Sequence, residues 1–290
     1  MKHCYWTLWL IGLAVSVSAC GQAKNTTGPS PSAKSDTPPS TAVESGSLSS
    51  SGAPSATSTT ETSSVSESAS TGTPIEGPTG RIEGTVTFVG DEIPQSTVVS
   101  NTTDPQICGA ALSKRDVEIS ADTRGIRYVL VWLEGVKLPE DYKPPTQTLV
   151  LDNVKCQFEP HAAVITTGSV IETRNSDEVY HTTNLRGKVT KENIPLVARG
   201  TKFQTKVRTA ELVYVSCDKH GWMQSFIRVD PHPFHAVTDA DGRFSIAGVP
   251  VGTYKLKIFH EKFYAQEHEV TVAENAAASL ELKYPTQEQK

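Results

Sequence analysis

Beyond its first twenty residues the chain has no apolar stretch approaching the length of a membrane span, which excludes a helical membrane bundle as its folded part. It has no run of Lys or Arg and a net charge of −5, so it lacks the electrostatic footprint of a nucleic-acid binder. No Cys-x2-Cys pair occurs among its five cysteines, which leaves structural zinc and thioredoxin-like chemistry without support. Methionine is scarcer still: there are two, Met1 and Met223. Helical periodicity of useful length is missing after Thr79. The low aromatic and modest apolar content suits a β-rich protein.

What the N-terminus does contain is a leader. Lys2 and His3 precede a mostly apolar run from Tyr5 to Ser18, which closes on Val17-Ser18-Ala19-Cys20. This resembles a bacterial lipoprotein signal with its lipobox, and the resemblance implies cleavage before Cys20 and lipidation of Cys20. The alternative is an ordinary secretory signal cut after a small residue. Residues 21–79 are Ser, Thr, Pro, Ala and Gly with scattered Glu, a composition that cannot bury a core. They read as a disordered tether, placing the folded part roughly 45 Å from the lipid.

After Thr79 the pattern is that of strands. Arg81-Ile82-Glu83-Gly84-Thr85-Val86-Thr87-Phe88 alternates like a half-buried strand and stops at Gly90-Asp91. Ile126 to Leu133 is apolar on both faces, as a central strand would be. Pro139, Pro144 and Pro145 interrupt, and a new set of short strands begins near Thr148. Short strands separated by Gly, Asn, Asp and Pro predict an all-β fold built from β-sandwiches.

The chemistry concentrates at Cys217-Asp218-Lys219-His220-Gly221-Trp222-Met223, directly after the alternating run Leu212-Val213-Tyr214-Val215. A thiolate, an imidazole and a weak thioether at the spacing C-x2-H-x2-M form a set that suits copper in an electron-transfer site. His181 offers a fourth ligand. Of the other cysteines, Cys4 and Cys20 fall in the leader. Cys108 and Cys156 are left, and a disulfide between them suits an oxidising compartment.

From about Thr148 to Asp230 the residues resemble the cupredoxins, or type 1 blue copper proteins. The shared pattern is Gly168 followed by a strand, the Asn175-Ser176-Asp177 turn, His181, and the Cys-His-Met loop before Phe226-Ile227-Arg228-Val229. The resemblance implies a Greek-key β-sandwich holding one type 1 copper ion, with His181, Cys217 and His220 in the plane and Met223 axial. Thr182 stands where the family commonly carries Asn.

The remainder is similar to the carboxypeptidase-regulatory-like, or transthyretin-like, sandwich. It carries the hairpin Thr238-Asp239-Ala240-Asp241-Gly242-Arg243-Phe244 and the turn Pro250-Val251-Gly252-Thr253-Tyr254. Gly84-Thr85-Val86 and Val129-Leu130-Val131 could supply that family's earlier strands. The expected organisation is therefore a signal at 1–20, a tether at 21–79, a cupredoxin domain at 145–230, and a discontinuous second sandwich from 80–144 and 231–290. Residues 231–290 alone would make a small core with no staple. Two tandem domains, with 80–230 an enlarged cupredoxin, are the alternative.

The expected function is a membrane-tethered carrier of single electrons between unidentified redox proteins outside the cytoplasm. A copper enzyme would need a further copper with clustered His ligands, which the sequence does not display, so no catalytic residues are expected. Copper storage would need several Met. A non-redox adhesion or carbohydrate- or protein-binding lipoprotein is the alternative, and the second sandwich is a candidate for a polysaccharide or protein ligand. His161, His232, His235, His260 and His268 read as structural or solvated. Asp239, Asp241 and Gly242 fit a hairpin turn better than calcium. Trp222 suits either a partner-contact patch or packing under the loop.

Overall fold

The computed structural model describes residues 71–285; the leader, Cys20 and most of the tether lie outside the described residues. Nearly every element is a strand. The chain opens with β1 (Thr79–Val89), β2 (Val98–Ser100), the single helical turn α1 (Pro105–Cys108), β3 (Ala111–Ser113) and β4 (Leu130–Glu134). Next come β5 (Thr148–Val154), β6 (Gln157–Glu159), β7 (Ala162–Thr166), β8 (Val170–Asn175), β9 (His181–Arg186) and β10 (Lys191–Leu196). They are followed by β11 (Lys202–Lys206), β12 (Glu211–Ser216) and β13 (Gln224–Asp230). The last strands are β14 (His235–Val237), β15 (Arg243–Pro250), β16 (Gly252–His260), β17 (Tyr264–Val272) and β18 (Ala277–Pro285).

Two sandwiches result. In one, the sheet β10-β9-β12-β13-β7 faces the sheet β11-β8-β5-β6. Its core includes Leu151, Phe158, Ile165, Ile171, Val213, Val215, Ile227 and Val229. In the other, β15-β1-β18 faces β14-β4-β16-β17 across Ile82, Val86, Val131, Leu133, Ile258 and Val270, among others. β1 lies between β15, to which it is antiparallel, and β18, to which it runs parallel from Arg81 opposite Ala277 to Val89 opposite Pro285. Likewise β4 is flanked by β14 and β16. Strands from residues 79–134 thus share both sheets with strands from residues 235–285.

The period-two geometry of a strand explains why β4 is apolar on both faces. Val131 and Leu133 point into the core of their own sandwich, whereas Leu130 and Trp132 join Ala162 and Phe226 in a third cluster. β13 does the same in mirror: Ile227 and Val229 face inward, and Phe226 faces the third cluster. That cluster is the apolar seam between the sandwiches. Tyr214 and Phe259 meet Phe226 within it as tilted rings, at centroid distances of 5.2 and 5.7 Å.

Local details depart from the strand expectations. The apolar run from Ile126 is broken at Tyr128, whose φ of 67° belongs to the left-handed region, so β4 begins only at Leu130. The order also begins before Thr79: Thr73 N–H donates to Lys143 C=O at 2.8 Å, and Ile75 packs on the core. Apolar Ile75 gives this end of the Ser/Thr-rich stretch something to bury. The Asp239 carboxylate accepts backbone N–H groups of Asp241 and Arg243 at 2.9 and 2.8 Å, which is turn chemistry. Gly242, at φ +74°, closes that turn where a Cβ would stand 2.3 Å from the Val86 carbonyl oxygen.

The scattered histidines have assigned places. His161, buried in the seam, meets Glu261 at 2.5 Å and Tyr128 at a centroid distance of 4.9 Å. His235 pairs with Asp230 at 3.0 Å, a carboxylate five residues upstream whose spacing carries no helical or strand signal. His232 Nδ1 accepts the Phe234 N–H at 3.3 Å, and His268 meets Gln266 at 3.2 Å.

His260 makes a pH prediction. Burial, followed by the charge of nearby His161, pushes its pKa down from 6.5 to about 3. The unfolded chain therefore takes up this proton near pH 6.5 and the folded chain does not. Stability is full above that value and falls as the pH drops from about 6.5 toward 3, by at most about 1.4 kcal/mol per pH unit. Thermal melts of wild type and His260→Gln between pH 7.5 and 5, above the carboxylate range, should diverge in slope. Parallel curves would refute the assignment.

Candidate metal centre

The ends of β9 and β12 bring together residues 36 and more positions apart. His181 opens β9, Cys217 follows β12, and β9 pairs directly with β12 through Tyr214, Val215 and Ser216. The loop from Cys217 then turns back into β13, and the Met223 N–H donates to the His220 carbonyl at 2.9 Å. Both imidazoles and Met223 have no exposed surface, and Cys217, a free thiol, is 3% exposed.

Three donor atoms converge. His181 Nδ1 and His220 Nδ1 are 3.0 Å apart, and Cys217 Sγ lies 3.9 and 3.7 Å from them respectively. The outer nitrogens face carboxylates: Asp177 Oδ2 accepts from His181 Nε2 at 3.0 Å, and Asp104 Oδ2 accepts from His220 Nε2 at 3.1 Å. A ring that donates through Nε2 presents a bare lone pair at Nδ1. Two lone pairs and a thiol sulfur, aimed at one another in a buried place, are a donor set that wants a cation. Met223 belongs to the same buried cluster as Cys217 and Trp222. Two imidazoles and a thiol in a buried place fit copper by softness.

The thiol is prepared for ionisation. Burial opposes its charge, but the contacts with the His181 and His220 rings and with the Thr182 backbone N–H outweigh burial and bring the pKa down to about 5. For His181, burial works against the charged ring, and the Asp177 and Cys217 contacts overcome it, so the pKa is raised.

Thr182 ties the ligand loop to the start of β9. Its N–H donates to Cys217 Sγ at 3.4 Å, its hydroxyl reaches the same sulfur at 3.7 Å, and its Oγ1 accepts the Asp218 N–H at 2.8 Å. Asn184 and Asn193 clamp the Asp218 carboxylate at 3.1 and 2.7 Å, holding the loop from its outer side. Trp222 is buried, its Nε1–H donating to the Cys156 carbonyl at 2.9 Å and its ring 5.0 Å from His220, so it packs the loop from below.

Cys108 and Cys156 form a disulfide. Two residues facing the site carried little or no sequence signal. Asp177 could be found from its Asn-x-Asp turn, but Asp104 lies 116 positions from His220 in an irregular stretch.

No curated protein matches the chain. Among solved structures it is similar to the Cu-containing nitrite reductase of Thermus scotoductus SA-01, at 20% identity and a TM-score of 0.26 over 33% of this chain. The match spans about a quarter of that enzyme, 24% of its length. A purple cupredoxin from Nitrosopumilus maritimus is 17% identical over 29% of this chain and 98% of its own, with a TM-score of 0.26. The Cu(I) form of an amicyanin variant is 14% identical over 29% of this chain and 82% of its own, with the same TM-score of 0.26. Residues 227–284, from within β13 into β18, match the family model of the carboxypeptidase regulatory-like domain.

Proposed function

We propose that this chain is a type 1 copper protein that carries single electrons between redox proteins outside the cytoplasm, held to a membrane through a lipid on Cys20. The observation that carries the reading is the convergence of His181 Nδ1, His220 Nδ1 and Cys217 Sγ in one buried place. Copper bound there would supply a one-electron couple. Met223, in the same loop, would complete the set of residues that hold the copper. The chain's own residues do the rest: Asp177 orients His181, Thr182 holds the sulfur, and the β9–β12 pairing fixes the distance between the two ligand segments. Such a stiff, dry cradle leaves little to rearrange when an electron arrives or departs. In this reading residues 145–230 form the copper unit, inserted into a sandwich of residues 80–144 and 231–290, and the protein is a carrier rather than an enzyme.

Loading the purified protein with Cu(II) tests it. One copper per chain, an intense visible band, and reversible bleaching by ascorbate are expected. A colourless copper complex, or no copper bound, overturns the reading.

A further inference from the structure

After β1 the chain leaves its own sandwich as a strap. Among the described residues β2 pairs with β3 and with no other strand, α1 forms the tip between them, and Val99, Leu112 and Cys108 pack on the core of the neighbouring sandwich. The tip covers the ligand loop. Asp104 stands at the N-cap of α1, where an Asp side chain ordinarily accepts a backbone N–H, yet its side chain makes no capping bond. Its backbone is left-handed, φ 53° and ψ 44°, which Asp tolerates but at a cost. The carboxylate is given over instead to His220 Nε2 at 3.1 Å and Lys219 Nζ at 2.6 Å. Two local preferences are set aside for one contact with a candidate metal ligand.

The strap is also fastened there. Cys108 Sγ lies 3.9 Å from His220 Nε2 and is covalently joined to Cys156. The Cys156 N–H donates to Asp177 Oδ2 at 2.7 Å, the same oxygen that accepts from His181. Both carboxylates that face the two imidazoles are therefore anchored to one disulfide, Asp104 through the α1 turn and Asp177 through a hydrogen bond.

Building on the copper reading, we propose that Asp104 is a positioning residue for the metal centre. Delivered by the strap and locked by Cys108–Cys156, it fixes the His220 ring with its proton on Nε2 and closes the imidazole edge to solvent. An electron partner then meets the strap on this side of the site and not the bare ring.

Asp104→Ala and Asp104→Asn in the full chain test this by two measurements. With copper loaded, the Ala variant should bind roughly 10- to 100-fold more weakly, as expected when an outer carboxylate is lost. Its visible band should also shift, and Asn should fall between Ala and wild type. With no metal added, carbethoxylation of His220 by diethyl pyrocarbonate, mapped by mass spectrometry, should run clearly faster in the Ala variant, because the ring edge that Asp104 covers is then open to reagent. Wild-type copper affinity, band and modification rate in the Ala variant would overturn the proposal. Should the Ala variant lack a cooperative unfolding transition, Asn decides by the same measures, since it keeps the size and backbone tolerance of Asp. A wild-type protein that takes up no copper overturns the electron-carrier reading, and the metal-free modification rates then decide the role of Asp104 alone.

Discussion

Cys217→Ser is expected to lose the visible copper band altogether and to bind copper more than about 100-fold more weakly, a larger loss than any outer residue would cause. The reason lies in the pKa. The Cys217 thiol sits at about 5 and is therefore charged at neutral pH, whereas a serine hydroxyl in the same buried place stays neutral. The swap is nearly isosteric, and Thr182 can still donate its N–H to an oxygen. The far-UV circular dichroism and the cooperative melt should consequently survive. A variant that stays blue would place the metal elsewhere, and one that unfolds would show that the thiol also holds the core.

The second large effect concerns the seam. Phe226→Ala should cost about 3–5 kcal/mol in stability, as full truncation of a buried aromatic does. Phe226 is only 9% exposed and meets Tyr214, Phe259 and His161 around its ring. Because alternate residues of β13 face opposite ways, the side chain points away from Ile227 and the core beneath the candidate metal centre. Denaturant unfolding should shift to lower midpoint while the copper spectrum stays in place. A loss below about 1 kcal/mol would mean that the sandwiches do not depend on each other across this ring.

How much of this was legible beforehand varies with the distance over which the information is spread. The ligand loop was plain because Cys217, His220 and Met223 stand within seven residues and methionine is so rare here. His181 needed the order of the intervening strands. Asp177 sat in view beside a recognisable turn, but its bond to His181 Nε2 depends on loop geometry. Asp104 gave no sign, since a single Asp in an irregular stretch has no period to betray it. Thr182 reads as a departure from the pattern that the sequence resembles, whereas in the fold its backbone N–H holds the Cys217 sulfur and its hydroxyl holds the Asp218 N–H. Counting cysteines sufficed to pair Cys108 with Cys156, although not to show that their bond stands beside a ligand imidazole. The break at Tyr128 was unreadable because a tyrosine in the left-handed region has no sequence signature.

The position of β1 between β15 and β18 sets a timetable for synthesis. The segment from β5 to β13 emerges whole and can pack while translation continues. The first strand, by contrast, waits for partners that include the residues up to Pro285, and its edges stay open until those have left the ribosome. A chain truncated soon after residue 230 should thus carry a protease-resistant centre and a digestible leading strand. Only a chain that includes β18 would protect both.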